Sequence, residues 1–306
     1  MKTYQKMTLK NIINFANPKS FVASIIPSIF GILMLIKSGY SISLLRSLGL
    51  VLSCVFLQSS VNTINDYSDF INGVDSKEDN LKESDNIMFY NCIRPESVRN
   101  LGLFFLTIGI VFGLLTLESI NYKSIIIGII GVITVLNYSM GPLPISYLPV
   151  GEVFSGIVMG GLIPIGVFSV ISEKTDFTIM GYAMPFIIGI SLIMMSNNSS
   201  DIEKDKKANR NTLAVVMGRK NIRILYKILI IVWFISQSYL VLYFGGYKAL
   251  IIDLIIFFLK RKFIFRIFTA SLLPQDRVRQ MMDIGLTNIL LNFSYLVIIV
   301  ISLIGE

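Results

Sequence analysis

Nine apolar stretches divide this chain, at 21–36, 44–64, 101–117, 124–140, 153–171, 179–196, 226–244, 247–259 and 284–303. Each is long enough, or nearly long enough, to cross a bilayer. In hydrocarbon a backbone has to satisfy its own N–H and C=O groups, so such stretches become helices. The reading is an all-α polytopic membrane protein with about nine transmembrane helices, forming a single domain over residues 1–306. Composition agrees, because 54% of the 306 residues are hydrophobic and only 15% are charged, far from the balance of a soluble domain. The eighth stretch, 247–259, is the least regular, being short and carrying Asp253 inside it.

Charge gives the orientation. With the N-terminus placed inside, 22 of the 27 Lys and Arg residues fall on the inner side, and Lys37, Arg46, Lys123, Lys174 and Lys248 fall outside. That bias predicts a multi-pass protein of the plasma membrane whose segments 65–100 and 200–224 face the cytoplasm. It also accounts for the net charge of +8 without a nucleic-acid partner, for which no binding signature is present. Residues 1–19 hold four lysines and no cleavage pattern, and read as an amphipathic lead-in along the inner surface. Histidine is absent and the two cysteines, Cys54 and Cys92, lie in a span and in a loop. Imidazole chemistry and a disulfide framework are thereby excluded.

Against this apolar background two acidic clusters stand out: Asn62-x-x-Asn65-Asp66-x-x-Asp69, followed by Asp75, and Asn197-Asn198-x-x-Asp201-x-x-x-Asp205. They end the second and sixth stretches, four helices apart, which suggests two related halves around one pocket. On a helix the members of each cluster share a face through i,i+3 and i,i+4 spacing. Helix capping alone does not require three Asp and two Asn together. Oxygen donors without Cys or His suit Mg²⁺, which binds through one or two carboxylates, water and substrate phosphates. An ion-coupled transporter is the competing class. Its acids would lie near mid-span, whereas these lie at helix ends that lead into long loops. Asn72-Gly73 is a turn signal that ends the first acidic helix, and Gly141-Pro142-Leu143-Pro144 breaks the chain after the fourth stretch.

Asn65-Asp66-Tyr67-Ser68-Asp69 with Asp75, Tyr138-Ser139-Met140-Gly141-Pro142-Leu143-Pro144, Gly151-Glu152-Val153-Phe154, and Asp201 to Lys207 leading to Arg210-Asn211-Thr212-Leu213-Ala214-Val215 together resemble the UbiA-type intramembrane prenyltransferases. Within that family the Asp69-to-Asp75 gap is most similar to the 1,4-dihydroxy-2-naphthoate polyprenyltransferase branch of menaquinone biosynthesis. The resemblance implies a helix bundle around a central cavity, in which Mg²⁺ is held on a prenyl diphosphate while a polyprenyl chain passes to an aromatic acceptor. It implies Asp66, Asp69, Asp201 and Asp205 as the metal-holding, catalytic carboxylates. Asn62, Asn65, Asp75, Asn198 and Arg210 are the implied substrate and diphosphate contacts, and Tyr138 lines the cation pocket. Other acceptors open to the same fold are a hydroxybenzoate, a glycerol-phosphate lipid or a haem-type ring. The chain departs from the family pattern at Asn17, Phe89 and Ser200, where relatives often carry Arg, and at Cys92, where they often carry Gly.

Overall fold

A computed structural model describes residues 4–74, 88, 92–119 and 122–305. Helices make up nearly all of it. They are α1 (Leu9–Ala16), α2 (Val22–Lys37), α3 (Leu44–Ile71), α4 (Pro95–Leu115), α5 (Tyr122–Ser139), α6 (Gly151–Ser172), α7 (Thr178–Tyr182), α8 (Met184–Ser200), α9 (Ile202–Lys207), α10 (Leu213–Leu259), α11 (Arg261–Phe268) and α12 (Arg277–Gly305). Six helices among the described residues are long and apolar enough to cross a membrane. The amphipathic α1 and α2 form a seventh span, bent by 57° at Asn17 to Phe21. Two more come from α8, 17 residues long, and from a division of α10. A straight helix of 47 residues would be about 70 Å long, over twice the ~30 Å hydrocarbon core. It breaks near its start at Gly218, with φ 71° and ψ 158°, and again at Gly246, whose φ of 68° and ψ of −168° are far from helical; both conformations suit glycine alone. The described helices therefore match the nine expected stretches, the eighth being the second limb of this hairpin.

Asp253 is tolerated there because it is not in lipid. It is fully buried, accepting from Gln237 Nε2 at 3.0 Å and from Ser238 Oγ at 3.3 Å across the hairpin. Elsewhere the helices approach through small residues and short polar bonds, as expected where lipid is as apolar as the side chains. Ser53 and Ser60 of α3 donate to the carbonyls of Gly109 and Gly102 on α4 at 2.7 and 2.8 Å. Gly160 lies so close to α8 that a Cβ would come within 2.5 Å of the Ile187 nitrogen. Here α6 opens into a π segment, Gly156–Leu162. Larger side chains fill the centre, where Phe30, Phe186 and Tyr295 interlock with ring centroids 4.9 to 6.0 Å apart.

The loops gather at two ends. At one, Arg46 Nε donates to the Thr116 carbonyl at 3.0 Å, and Arg46 pairs with Glu118. At the other, the Asn211 N–H donates to the Tyr147 carbonyl at 2.9 Å and Arg219 Nε to the Leu272 carbonyl at 3.0 Å. Both acidic clusters belong to this second end.

Candidate active site

The first cluster is positioned by the length of α3, which continues past its apolar stretch to Ile71 and stops at Asn72 and Gly73, the latter at φ 65°. Asp69 is buried, with 9% of its surface exposed. Asn65 Nδ2 donates to Asp69 Oδ2 at 3.1 Å, while Asn65 Oδ1 accepts from Ser139 Oγ at 2.7 Å. Asn65 thus aims the carboxylate and fastens α3 to the end of α5. Asp66 is half-buried beside it. Asn62 lies apart from these groups, its amide donating to the Ala16 carbonyl at 2.8 Å and to Ser20 Oγ at 2.9 Å. It holds the α1–α2 bend. Asp75 lies outside the described residues, as does Phe89.

In the second cluster the helix is interrupted at Asp201, between α8 and α9, although the Asp205 N–H still donates to the Asp201 carbonyl at 2.8 Å. Asp205 is 2% exposed and accepts from Thr212 Oγ1 at 3.3 Å. The two clusters meet through Arg210. Its Nη1 is 3.4 Å from Asp69 Oδ1, its Nε 3.6 Å from Asp205 Oδ1, and its guanidinium carbon 5.0 Å from the centre of the Tyr147 ring. A left-handed Asn209, at φ 56°, turns the chain so that Arg210 can reach back. Tyr147 is fixed in turn by Asn72, whose Nδ2 donates to its hydroxyl at 3.3 Å. A cavity of about 370 Å³ opens over this junction, bordered by Asn72, Gly141, Tyr147 and Asn209.

Burial pushes the Asp205 carboxyl up to about 6, with Arg210 opposing the rise and Asp201 adding to it. Burial also raises the Tyr147 phenol, helped by Asp69 and opposed by Arg210. For Arg210 burial works against the charge, yet Asp69 and Asp205 together hold the guanidinium above its ordinary value.

Other partners have no counterpart in the cluster patterns. From the start of α12, Arg277 donates through Nη2 to Asn197 Oδ1 at 2.9 Å, with its Nε 3.4 Å from Asp201 Oδ1. Asn198 is buried and donates to Glu152 Oε1 at 2.9 Å. Tyr138, half-buried near the end of α5, accepts from Ser155 Oγ at 3.0 Å. Glu203 turns away, pairing with Arg219 at the surface, Nη2 to Oε2 at 2.8 Å. Ser200 is buried, its hydroxyl donating to the Ser196 carbonyl at 3.0 Å, so the guanidinium near Asp201 comes from Arg277 instead. Cys92 is exposed, at φ 43°.

The donor set suits a hard divalent cation, since the cluster offers carboxylate and amide oxygens with no thiol or imidazole beside them. No three carboxylates converge among the described residues. A metal here would take one or two of them and complete its shell with water and diphosphate oxygens, which is the habit of Mg²⁺.

A membrane helix bundle whose two acid-bearing loops meet over a half-buried arginine defines the class of protein. The UbiA prenyltransferase family model matches residues 24–280, and the chain belongs to that family. It is an intramembrane prenyltransferase. The 1,4-dihydroxy-2-naphthoate octaprenyltransferase of Bacillus subtilis (strain 168) is 33% identical over 71% of this chain and 69% of its own length. The UbiA prenyltransferase domain-containing protein 1 of Xenopus tropicalis is 26% identical over 73% of this chain and 64% of its own length. Among solved structures, a UbiA homologue from Archaeoglobus fulgidus bound to DMAPP and Mg²⁺ superposes with a TM-score of 0.62 at 18% identity, covering 94% of this chain and 99% of that one. At that identity the likeness speaks for the fold.

Proposed function

We propose that this protein transfers a polyprenyl group from its diphosphate to a ring carbon of 1,4-dihydroxy-2-naphthoate, a step of menaquinone biosynthesis, at the cytoplasmic face of the plasma membrane. The observation that carries the proposal is the meeting of the buried Asp69 and Asp205 on the half-buried Arg210 at one end of the bundle. The acceptor is supported by the 33% identity to the naphthoate octaprenyltransferase and by the Asp69-to-Asp75 spacing. Asp66, Asp69, Asp201 and Asp205 would hold Mg²⁺, which when bound neutralises charge on the departing diphosphate. Arg210 is a planar fork suited to phosphate oxygens, and Asn65 and Thr212 keep the carboxylates aimed while a diphosphate is seated. Tyr138 presents a ring to the developing positive charge, and the apolar interior excludes water that would quench it. The transmembrane unit over residues 1–306 acts as a single domain in this reading.

Purified protein reconstituted in vesicles with Mg²⁺, prenyl diphosphates of several lengths and a panel of acceptors tests it by product mass. Prenylated naphthoate is expected. Prenylation of a hydroxybenzoate, a glycerol-phosphate lipid or a haem-type ring, with none of the naphthoate, would reject the acceptor and retain the diphosphate site.

A further inference from the structure

Bonded to Asn198 of the second acidic cluster, one buried carboxyl is only half engaged. Glu152 is 0% exposed; its Oε1 accepts from Asn198, while its Oε2 has no hydrogen-bond partner and no access to solvent. Leaving a buried acceptor unpaired costs on the order of 1–3 kcal/mol, more when it is charged. Neither neighbour explains why a carboxyl stands here. The N–H of Gly151 already bonds to the Leu148 carbonyl at 3.1 Å, and a Gln oxygen would serve Asn198 as well. The surroundings connect this carboxyl to residues beside the arginine cluster. One helical turn on, Ser155 holds the Tyr138 hydroxyl, and that hydroxyl lies in the combined field of Arg210, Glu152 and Asp69. Arg210 and Thr212 already partner Asp69 and Asp205, whereas the spare acceptor of Glu152 has no such donor.

We infer that Glu152 Oε2 receives the phenolic O–H of the aromatic acceptor and takes its proton as the ring attacks. The inference rests on the prenyl-transfer reading above. In the step, the bond from prenyl C1 to diphosphate oxygen breaks and its electron pair leaves with the diphosphate. A ring π pair, from the carbon next to the phenolic carbon, forms the new C–C bond. The phenolic proton passes to Glu152, leaving a ring ketone. Loss of the proton on the attacked carbon to water restores aromaticity, and Glu152 returns its proton to the oxygen, so the net products are prenylated phenol, diphosphate and one proton. A carboxyl whose free oxygen is completed only by the acceptor also explains selection, because a site built to bond a substrate hydroxyl rejects an analogue lacking it by up to ~10⁴-fold.

The test uses the full chain in vesicles with Mg²⁺, geranyl diphosphate, 1,4-dihydroxy-2-naphthoate and its two mono-O-methyl ethers. Glu152→Gln is expected to lower kcat roughly 10²-fold or more, the usual scale for losing a general base. It should leave KM for geranyl diphosphate unchanged. The wild type should refuse the ether that masks the oxygen beside the attacked carbon. An unchanged kcat in Glu152→Gln, or equal use of both ethers by the wild type, overturns the inference while prenyl transfer itself stands. Absence of any prenylated phenol from the wild type overturns the inference together with the reading beneath it. The ether comparison needs no variant, so it decides the matter even where Glu152→Gln does not fold.

Discussion

Asp69 and Asp205 face a shared cation in Arg210, so neutralising either changes the cluster without emptying its space. Asp69→Asn and Asp201→Asn are each expected to lower Mg²⁺-dependent diphosphate release by about 10²–10³-fold, the scale on which single electrostatic contacts to a developing charge act. Glu203→Gln should leave it near wild type, since Glu203 points to the surface; diphosphate assays on membranes compare the three. Asp205 adds a pH dependence. Its carboxyl is raised from 3.8 to about 6 by burial, so its charged form is disfavoured in the metal-free fold. Its contribution to the stability of that fold falls as pH rises through this window. Protons compete with metal in the same range, and Mg²⁺ affinity followed by calorimetry is expected to drop as pH falls through 6. Asp69, Asp205 and Arg210 were legible in the sequence because charge in an apolar chain has few uses. Arg277 and the partnership of Glu152 with Asn198 were not. Those contacts join residues 80 and 46 positions apart, and no local periodicity marks them. The amide bonds of Asn62 to Ala16 and Ser20 were likewise invisible, since they reach the α1–α2 bend more than forty positions back.

At the scale of elements, the apolar stretches located the spans, and the turn signals at Asn72-Gly73 and Gly141 to Pro144 ended their helices where expected. Periodicity carried no sign of the π segment in α6, since that irregularity answers to the neighbour α8 rather than to local propensity. Gly156 and Gly160 explain it. At both positions a Cβ would fall 2.5 Å or less from atoms of α8, so the two backbones are in contact. Gly160→Ala is expected to force them apart and destabilise the bundle by about 1–3 kcal/mol, as overpacking does. A lower melting temperature in detergent, with monodispersity retained, is the measurement. Gly181→Ala is the control, because a Cβ there meets nothing.

For the whole molecule, the two groups of loops at opposite ends give the charge bias a physical counterpart. In a background with Cys54 and Cys92 replaced by Ser, Ala208→Cys is expected to react with an impermeant thiol reagent only from the cytoplasmic side and Tyr247→Cys only from outside. The reverse pattern would invert the topology. The break at Gly246 also bears on how the chain enters the membrane during synthesis. The limb that follows it is short, and a lone carboxyl at its centre would add roughly 2.5–3.5 kcal/mol to its transfer out of the translocon. The donors that relieve Asp253, Gln237 and Ser238, lie on the preceding limb. The two limbs are therefore expected to partition into lipid as one folded hairpin, with the eighth segment waiting beside the seventh until the carboxyl is bonded. In a glycosylation-mapping assay, residues 247–259 alone should insert poorly, residues 219–259 should insert fully, and Gln237→Leu should reduce that insertion.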